Sequence, residues 1–548
     1  MSHGLPYAPE PDGHVPVHVS MLREGSQSTN QGHSDRQYPS ALARLTALLP
    51  APDAAPTASS VTDLRTHLDR ASRSVLEVRT VVAVVSVLLV PATWWLAREL
   101  LSAGWSTFAS LLSASSMLVL LFSTQARPHA VSTVCVTLVL CAALRFQARG
   151  RLRELVVLAA CACVAVGTLH SAWACVPVLA WVCVIDRDGR RRPFERRAWI
   201  LAVALAVAVL AFYGTLLSGT RESSWGIPRV ESGTLIFSNH RVNLADFDGR
   251  GFLSLARTVV HFEPNLGVLV LLAAGVWIRG RARHEPATAP RGAVGLVLVF
   301  VLPYLLAFGL FAKSHERFFL PLVPCAAVFA AWGSMKLTAL LGGRWRIAVL
   351  VGLALPFTLC ARWSWLCSSP DTLELAARRI EELAVRGDTP IFVQASLDLP
   401  LARDATSLAH DGARVRNPMR PWTCYQATRL ESDRPEPVYP LRDLAAPAKL
   451  PYKELVGHPE RVLEALGRGL YVIEFPQGAA HASAWELRDA LASRGVFVER
   501  IEPGDELGGG AHVLGYQLEP RSSPPWTWLR ILRASAIGPV VEIRRLTL

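Results

Sequence analysis

Charge is scarce in this chain. Asp, Glu, Lys and Arg make up 18% of its 548 residues, against 51% hydrophobic residues, and the mean hydropathy is +0.30. That balance is too apolar for a soluble enzyme and points to an integral membrane protein. The ten cysteines include no C-x-x-C pair and no zinc or haem spacing. Cys135, Cys141, Cys161, Cys163, Cys175 and Cys183 lie inside apolar runs and read as small hydrophobes. No G-x-S-x-G, Walker, Rossmann or H-E-x-x-H pattern is present. The net charge of +12 is not laid out as an aromatic and basic platform, so nucleic acid is not an expected partner. Residues 1–40 are polar and rich in His, Pro and Gly, and hold no apolar core of a signal peptide.

What the chain does have is a succession of apolar runs. They lie near 80–97, 105–123, 128–146, 154–185, 199–218, 264–278, 293–312, 318–341 and 345–363. The run 154–185 is too long for one crossing and reads as two, broken near Gly167–Ser171, which gives about ten spans. Arginines then fill alternate loops: Arg98, then Arg145 to Arg153, Arg187 to Arg197, Arg279 to Arg283, and Lys336 to Arg346. By the positive-inside rule those loops are cytoplasmic. The outer side receives residues 1–78, the turn at Gln125–His129, the His170 turn, the loop 219–263, the turn at Lys313–Phe318 and everything after about 364. The N-terminal segment thus lies outside with no helix to carry it there. A missing first span would explain this, and translocation of a short polar tail is the alternative.

Three regions follow: an outer first loop over 1–78, a transmembrane domain over 79–363 and a soluble outer domain over 364–548. In the last, residues 371–386 have helical periodicity with Asp371 as N-cap. Strands are expected at 391–393, 470–473, 496–498 and 513–518, with a helix near 482–494 ended by Gly495. Strands alternating with helices predict a small α/β domain. Cys367 and Cys424 are a candidate disulfide in an oxidising compartment. The basic, partly apolar stretch 526–547 reads as an ordinary terminal segment or a membrane-surface one.

The chemistry-bearing residues all fall on the outer side. Residues 313–324 read K-S-H-E-R-F-F-L-P-L-V-P between two apolar runs. Charges at a membrane boundary serve either as snorkelling anchors or as a site for an anionic head group. Anchors rarely need a His and a Glu beside two cations. Lys313, His315 and Arg317 are therefore candidates to hold a phosphate, which Arg can grip with two parallel hydrogen bonds. Glu316 is placed to orient Arg317 or to point elsewhere. Arg127, before Pro128 and His129, is a second cation on that side or an interfacial anchor. Asp12, in Glu10-Pro11-Asp12-Gly13-His14, is a general base or a turn former. His170 reads more as a helix-end cap than as a catalytic group, and Glu263 and Asn265 are weaker candidates. An outward site cannot draw on cytosolic nucleotides, so a lipid-linked donor is the natural substrate.

Several of these pieces together resemble the GT-C superfamily of membrane glycosyltransferases, which use polyprenyl-phosphate sugars. Gly4 to Val15, then Met21-Leu22-Arg23-Glu24-Gly25 and Arg36 to Leu42, resemble the family's first outer loop. Asp12 falls at the family's first acid, its catalytic base, and Gly13 stands where the family often has Glu. Ala126-Arg127-Pro128-His129 resembles a turn that ends in an acid in the family, with His129 in its place. The stretch 313–324 resembles the late outer loop of dolichol-phosphate-mannose-dependent mannosyltransferases, including the Alg9 and PIG-B type, and of bacterial protein O-mannosyltransferase-like relatives. The resemblance covers about residues 1–363, and the chain opens where the family's first helix ends.

The resemblance implies a mainly α, polytopic GT-C fold in a bacterial cytoplasmic membrane, with a small extracytoplasmic α/β domain. The implied reaction moves a mannose-like or other sugar from a polyprenyl-phosphate donor to a glycan, lipid or protein acceptor. Asp12 would serve as base, and Arg317, Lys313, His315 and Arg127 would hold the leaving phosphate, supported by Glu316, His129 and His170. Some relatives use a divalent metal, Mg or Mn, for which Asp12 is the candidate ligand. A transporter or flippase of lipid-linked sugars and a catalytically inactive member are the alternatives. Transporters place polar residues at the bilayer midplane, whereas here they gather at one face.

Overall fold

The computed structural model describes residues 39–50, 73–191, 196–217, 229–231, 234–237, 240–282, 290–384, 389–393, 399–407, 437–443, 468–474, 492–504, 527–538 and 540–546, with a few isolated positions besides. Two compact units divide at Ala361/Arg362.

The first unit is helical. It opens with α1 (Ala41–Ala47), followed by α2 (Arg73–Val87), α3 (Leu89–Arg98), α4 (Ala103–Ala114), α5 (Met117–Ser123), α6 (His129–Arg149) and α7 (Leu152–Thr168). A 3-10 segment, His170–Cys175, leads into α8 (Val176–Val184) and α9 (Arg196–Leu217). Then come three short strands, β1 (Arg229–Glu231), β2 (Thr234–Phe237) and β3 (His240–Asn243), in an antiparallel sheet. Helices α10 (Arg250–Phe262), α11 (Pro264–Ala282) and α12 (Arg291–Leu310) precede a second 3-10 segment, Glu316–Leu322. Helices α13 (Val323–Leu341), α14 (Gly343–Gly352) and α15 (Ala354–Ser368) complete the series, α15 crossing into the second unit.

Among the described residues, five helices are long and apolar enough to cross a membrane, or up to seven if each bent pair counts as one span. The run read as one span over 105–123 is two helices bent by 55°. Ser116 breaks it, its hydroxyl accepting from Val119 N at 3.1 Å to cap α5. The run 154–185 is broken, as expected, by the 3-10 segment at His170. Chain direction reverses after α6 at Gly150, whose φ of 65° suits a residue without Cβ.

The helices pack through small residues. A Cβ on Gly333 of α13 would overlap Ala273 of α11, so these two helices approach backbone to backbone. At one end of the bundle Glu99 receives Arg187 at 3.5 Å and Arg145 at 3.6 Å. Gln147 donates there to the carbonyls of Ile185, Asp186 and Gly292. The loops that the charge pattern placed together therefore do meet.

The second unit carries α16 (Thr372–Leu383) and a five-stranded sheet of order β5-β4-β6-β8-β7. Its strands are β4 (Ile391–Val393), β5 (Leu441–Asp443), β6 (Gly469–Glu474), β7 (Gly495–Ile501) and β8 (Val541–Leu546), with α17 (Thr527–Arg533) before β8. Asp371 caps α16 by accepting from Glu374 N at 2.8 Å. Leu373, Ala377 and Ile380 of α16 pack on Ile391, Val393, Leu470, Val472, Val541 and Ile543. Each such aliphatic side chain removed from water is worth roughly 1.5–3 kcal/mol.

One expectation holds and one changes here. The helical residues 492–494 stop at Gly495, as expected, and Gly495 also opens β7. The stretch 526–547, read as a terminal or membrane-surface segment, supplies α17 and an inner strand of the sheet. Its charges misled because Glu542 and Arg544 stand two apart on one face of β8 and pair with each other at 3.1 Å. Val541 and Ile543 then face the core. The strand expected at 513–518, most of the helix near 482–494, and Cys424 lie outside the described residues.

Candidate functional site at one end of the helix bundle

The short helix α5 runs into the turn Thr124–Pro128, and α6 starts at once with His129. Pro128 suits that junction, since its missing N–H is not needed at a helix start. Gln125, Arg127 and His129 are all buried, Arg127 to 2% exposure. The 3-10 segment Glu316–Leu322 lies against both α5 and α6. Pro321 within it and Pro324 at the start of α13 withhold donors where an α-helix would need them.

Rings join the two turns. The His129 ring sits 6.2 Å from Phe122 and 6.3 Å from Phe318, and His315 sits 5.9 Å from Phe318. The Arg317 guanidinium lies 5.4 Å from the Phe318 ring centre. His129 interacts electrostatically with Arg317, Arg127 and His315. Two guanidinium groups and two imidazoles, far apart in sequence, are thus brought to one place. Glu316 is buried beside them, while His315 reaches solvent.

Lys313 stands apart from this group. Its ammonium is exposed and pairs with Asp246 at 2.7 Å. Asp246 was not singled out from the sequence. It lies in a long loop, and the signal was the Asp246-Phe247-Asp248-Gly249 turn ahead of an amphipathic helix. His170 begins its own 3-10 segment, which touches α6 and α12. Within α12, Tyr304 lies beside Ser171, 4.7 Å from Phe308, which stacks on Phe318 at 5.0 Å. An aromatic column therefore links the His170 segment to the Arg317 segment.

Glu263, a weaker candidate in the sequence, is buried at the corner between α10 and α11. It accepts from the Ser116 hydroxyl at 2.5 Å and from Leu118 N at 2.8 Å. It thereby holds the start of α5, the helix that delivers the Arg127 turn. Asn265 donates to the Gly352 carbonyl. Asp12 lies outside the described residues, and among those described no three His, Cys, Asp or Glu side chains gather to hold a metal.

Residues 53–213 match the family model described as dolichyl-phosphate-mannose-protein mannosyltransferase. That segment includes Arg127, His129 and His170 and bears out the resemblance to GT-C membrane glycosyltransferases. Among solved structures, the chain is similar to ArnT from Cupriavidus metallidurans bound to undecaprenyl phosphate, at 11% identity and a TM-score of 0.42, covering 99% of this chain and 94% of that one. It is also similar to the Archaeoglobus fulgidus oligosaccharyltransferase tethered to an acceptor peptide, at 11% identity and a TM-score of 0.43, covering 91% and 69%. No curated protein matches the chain.

Proposed function

We propose that this protein transfers a sugar from a polyprenyl-phosphate donor to an acceptor on the outer side of the membrane. The observation that carries the reading is the gathering of Arg127, Arg317, His129 and His315 at one end of an apolar helix bundle. A buried Arg127 and a part-buried Arg317 at the end of apolar helices suit an anionic group whose hydrocarbon tail lies between helices. A phosphate meets both conditions. Negative charge develops on it as the sugar leaves, and fixed guanidinium groups stabilise that charge more than they stabilise the intact donor. The match of residues 53–213 to a dolichyl-phosphate-mannose family supports the same donor class.

In this reading Arg317 and Arg127 grip the phosphate and His315, at the exposed rim, meets it from the solvent side. Lys313 starts paired with Asp246 and serves at the edge of the site. Asp12 takes the proton from the acceptor hydroxyl. The test is transfer of radiolabelled sugar from polyprenyl-phosphate donors in proteoliposomes. Asp12→Asn should abolish transfer while leaving donor binding intact. Transfer unchanged by both Asp12→Asn and Arg317→Ala would overturn the reading.

A further inference from the structure

Helix α10 is amphipathic in the reverse sense for a helix that faces water. Its outward positions are Phe252, Leu253, Ala256 and Val260, and Leu253 is 52% exposed. At about 100° per residue these four fall within an arc of roughly 100°. Arg257 and Arg250, both exposed, border that arc on one side. The inward positions include the polar residues Ser254, Thr258 and His261. Ser254 donates to the Ser314 carbonyl at 2.9 Å, just ahead of His315.

The inner face is fixed at close range. A Cβ on Gly251 would fall onto the carbonyl oxygens of Phe308, Gly309 and Phe311. Gly249 N donates to the Leu310 carbonyl at 2.9 Å, and Ala312 N to the Asp246 carbonyl at 2.6 Å. The chain then turns by 119° at Glu263 into the apolar helix α11. Val268 and Leu271 of α11 are exposed apolar residues as well. With α11 along a bilayer normal, the 119° turn leaves α10 about 30° from the membrane plane.

We infer that α10 is a membrane-interface helix, its apolar outer face seated in the acyl boundary of an anionic bilayer. The occupant follows from two features. The apolar arc continues the lipid-facing surface of α11, and Arg257 and Arg250 border it where anionic head groups lie. Through Ser254, Gly251 and the Asp246 segment, that seating sets the depth of the chain leading to Arg317.

The experiment uses the full chain in nanodiscs of phosphatidylcholine with or without phosphatidylglycerol. p-Benzoylphenylalanine replaces Leu253, Val260 or, as an inward control, Thr258. Illumination should give phospholipid adducts on the peptide 250–262 from positions 253 and 260, several-fold above the control. Arg257→Gln should lower the adduct yield where phosphatidylglycerol is present and leave it unchanged in phosphatidylcholine alone. Failure to form lipid adducts at both outward positions would sink the inference, as would crosslinks between two copies of the chain. Equal effects of Arg257→Gln in both compositions would overturn its anionic part. The readout is a lipid adduct and is independent of whether any sugar is transferred.

Discussion

At the scale of single residues, the two arginines of the candidate site differ in kind from Lys313. Arg127 is fully buried and Arg317 partly so, whereas Lys313 is exposed and tied to Asp246. An exposed ion pair contributes little, on the order of 0–1 kcal/mol. Arg317→Ala should therefore lower transfer by roughly 10²–10³-fold, the cost of losing a preorganised charge-stabilising donor. Lys313→Met should cost far less. Arg317→Lys should restore only part of the loss, because an ammonium cannot grip a phosphate with two parallel bonds. Initial-rate assays of the three variants check this order, and equal losses for Lys313→Met and Arg317→Ala would contradict it. The sequence disclosed Arg317 through its company with His315 and Glu316. It could not disclose that Arg127 and Arg317 both come near His129, since that depends on α5 starting where Glu263 holds it.

At the scale of elements, the helix contacts depend on absent side chains. Gly333 faces Ala273 so closely that a larger residue must push α11 and α13 apart. Gly333→Leu should destabilise the bundle by about 1–3 kcal/mol, as overpacking does, read as a lower melting temperature of the purified protein in detergent. Gly352→Leu is the control, because nothing lies near its Cβ position. A drop as large at Gly352 would show that the loss does not come from packing against Ala273, since Gly→Leu by itself favours a helix. Apolar runs revealed most spans, since hydrophobicity over a bilayer's thickness is a coarse signal. The bend at Ser116 and the corner at Glu263 stayed hidden, because each is fixed by one hydrogen-bonding side chain inside an apolar context. Strands β1 to β3 and helix α10 were hidden too, in what read as a long outer loop.

At the scale of the whole molecule, the two units rest on different physics. The helical unit keeps many exposed apolar residues on helices of membrane-spanning length, whereas the sheet unit has an interior core of its own. Ile543→Asp places a charge between α16 and the sheet. It should cost several kcal/mol, about 3–5 for an uncompensated buried charge, enough to unfold the sheet. Limited proteolysis should then cut the chain beyond 368 while leaving the helical unit intact. Survival of an uncut sheet unit would refute the role given to β8. Asp371 and the strand at 391–393 were legible from capping and β-branched residues. β8 was not, because its Glu–Arg pair disguised an inner strand as a polar tail.

The place of β8 also governs the order of events during synthesis. It lies between β6 and β7, yet follows both in the chain. β7, with Val496 and Phe497 exposed, leaves the ribosome before the strand that will bind it exists. For that interval its backbone offers an unpaired edge to any passing strand. The half-made sheet is therefore most vulnerable to misassociation in the moments before its forty-odd remaining residues arrive, and slowing translation after Ile501 would lengthen the exposure.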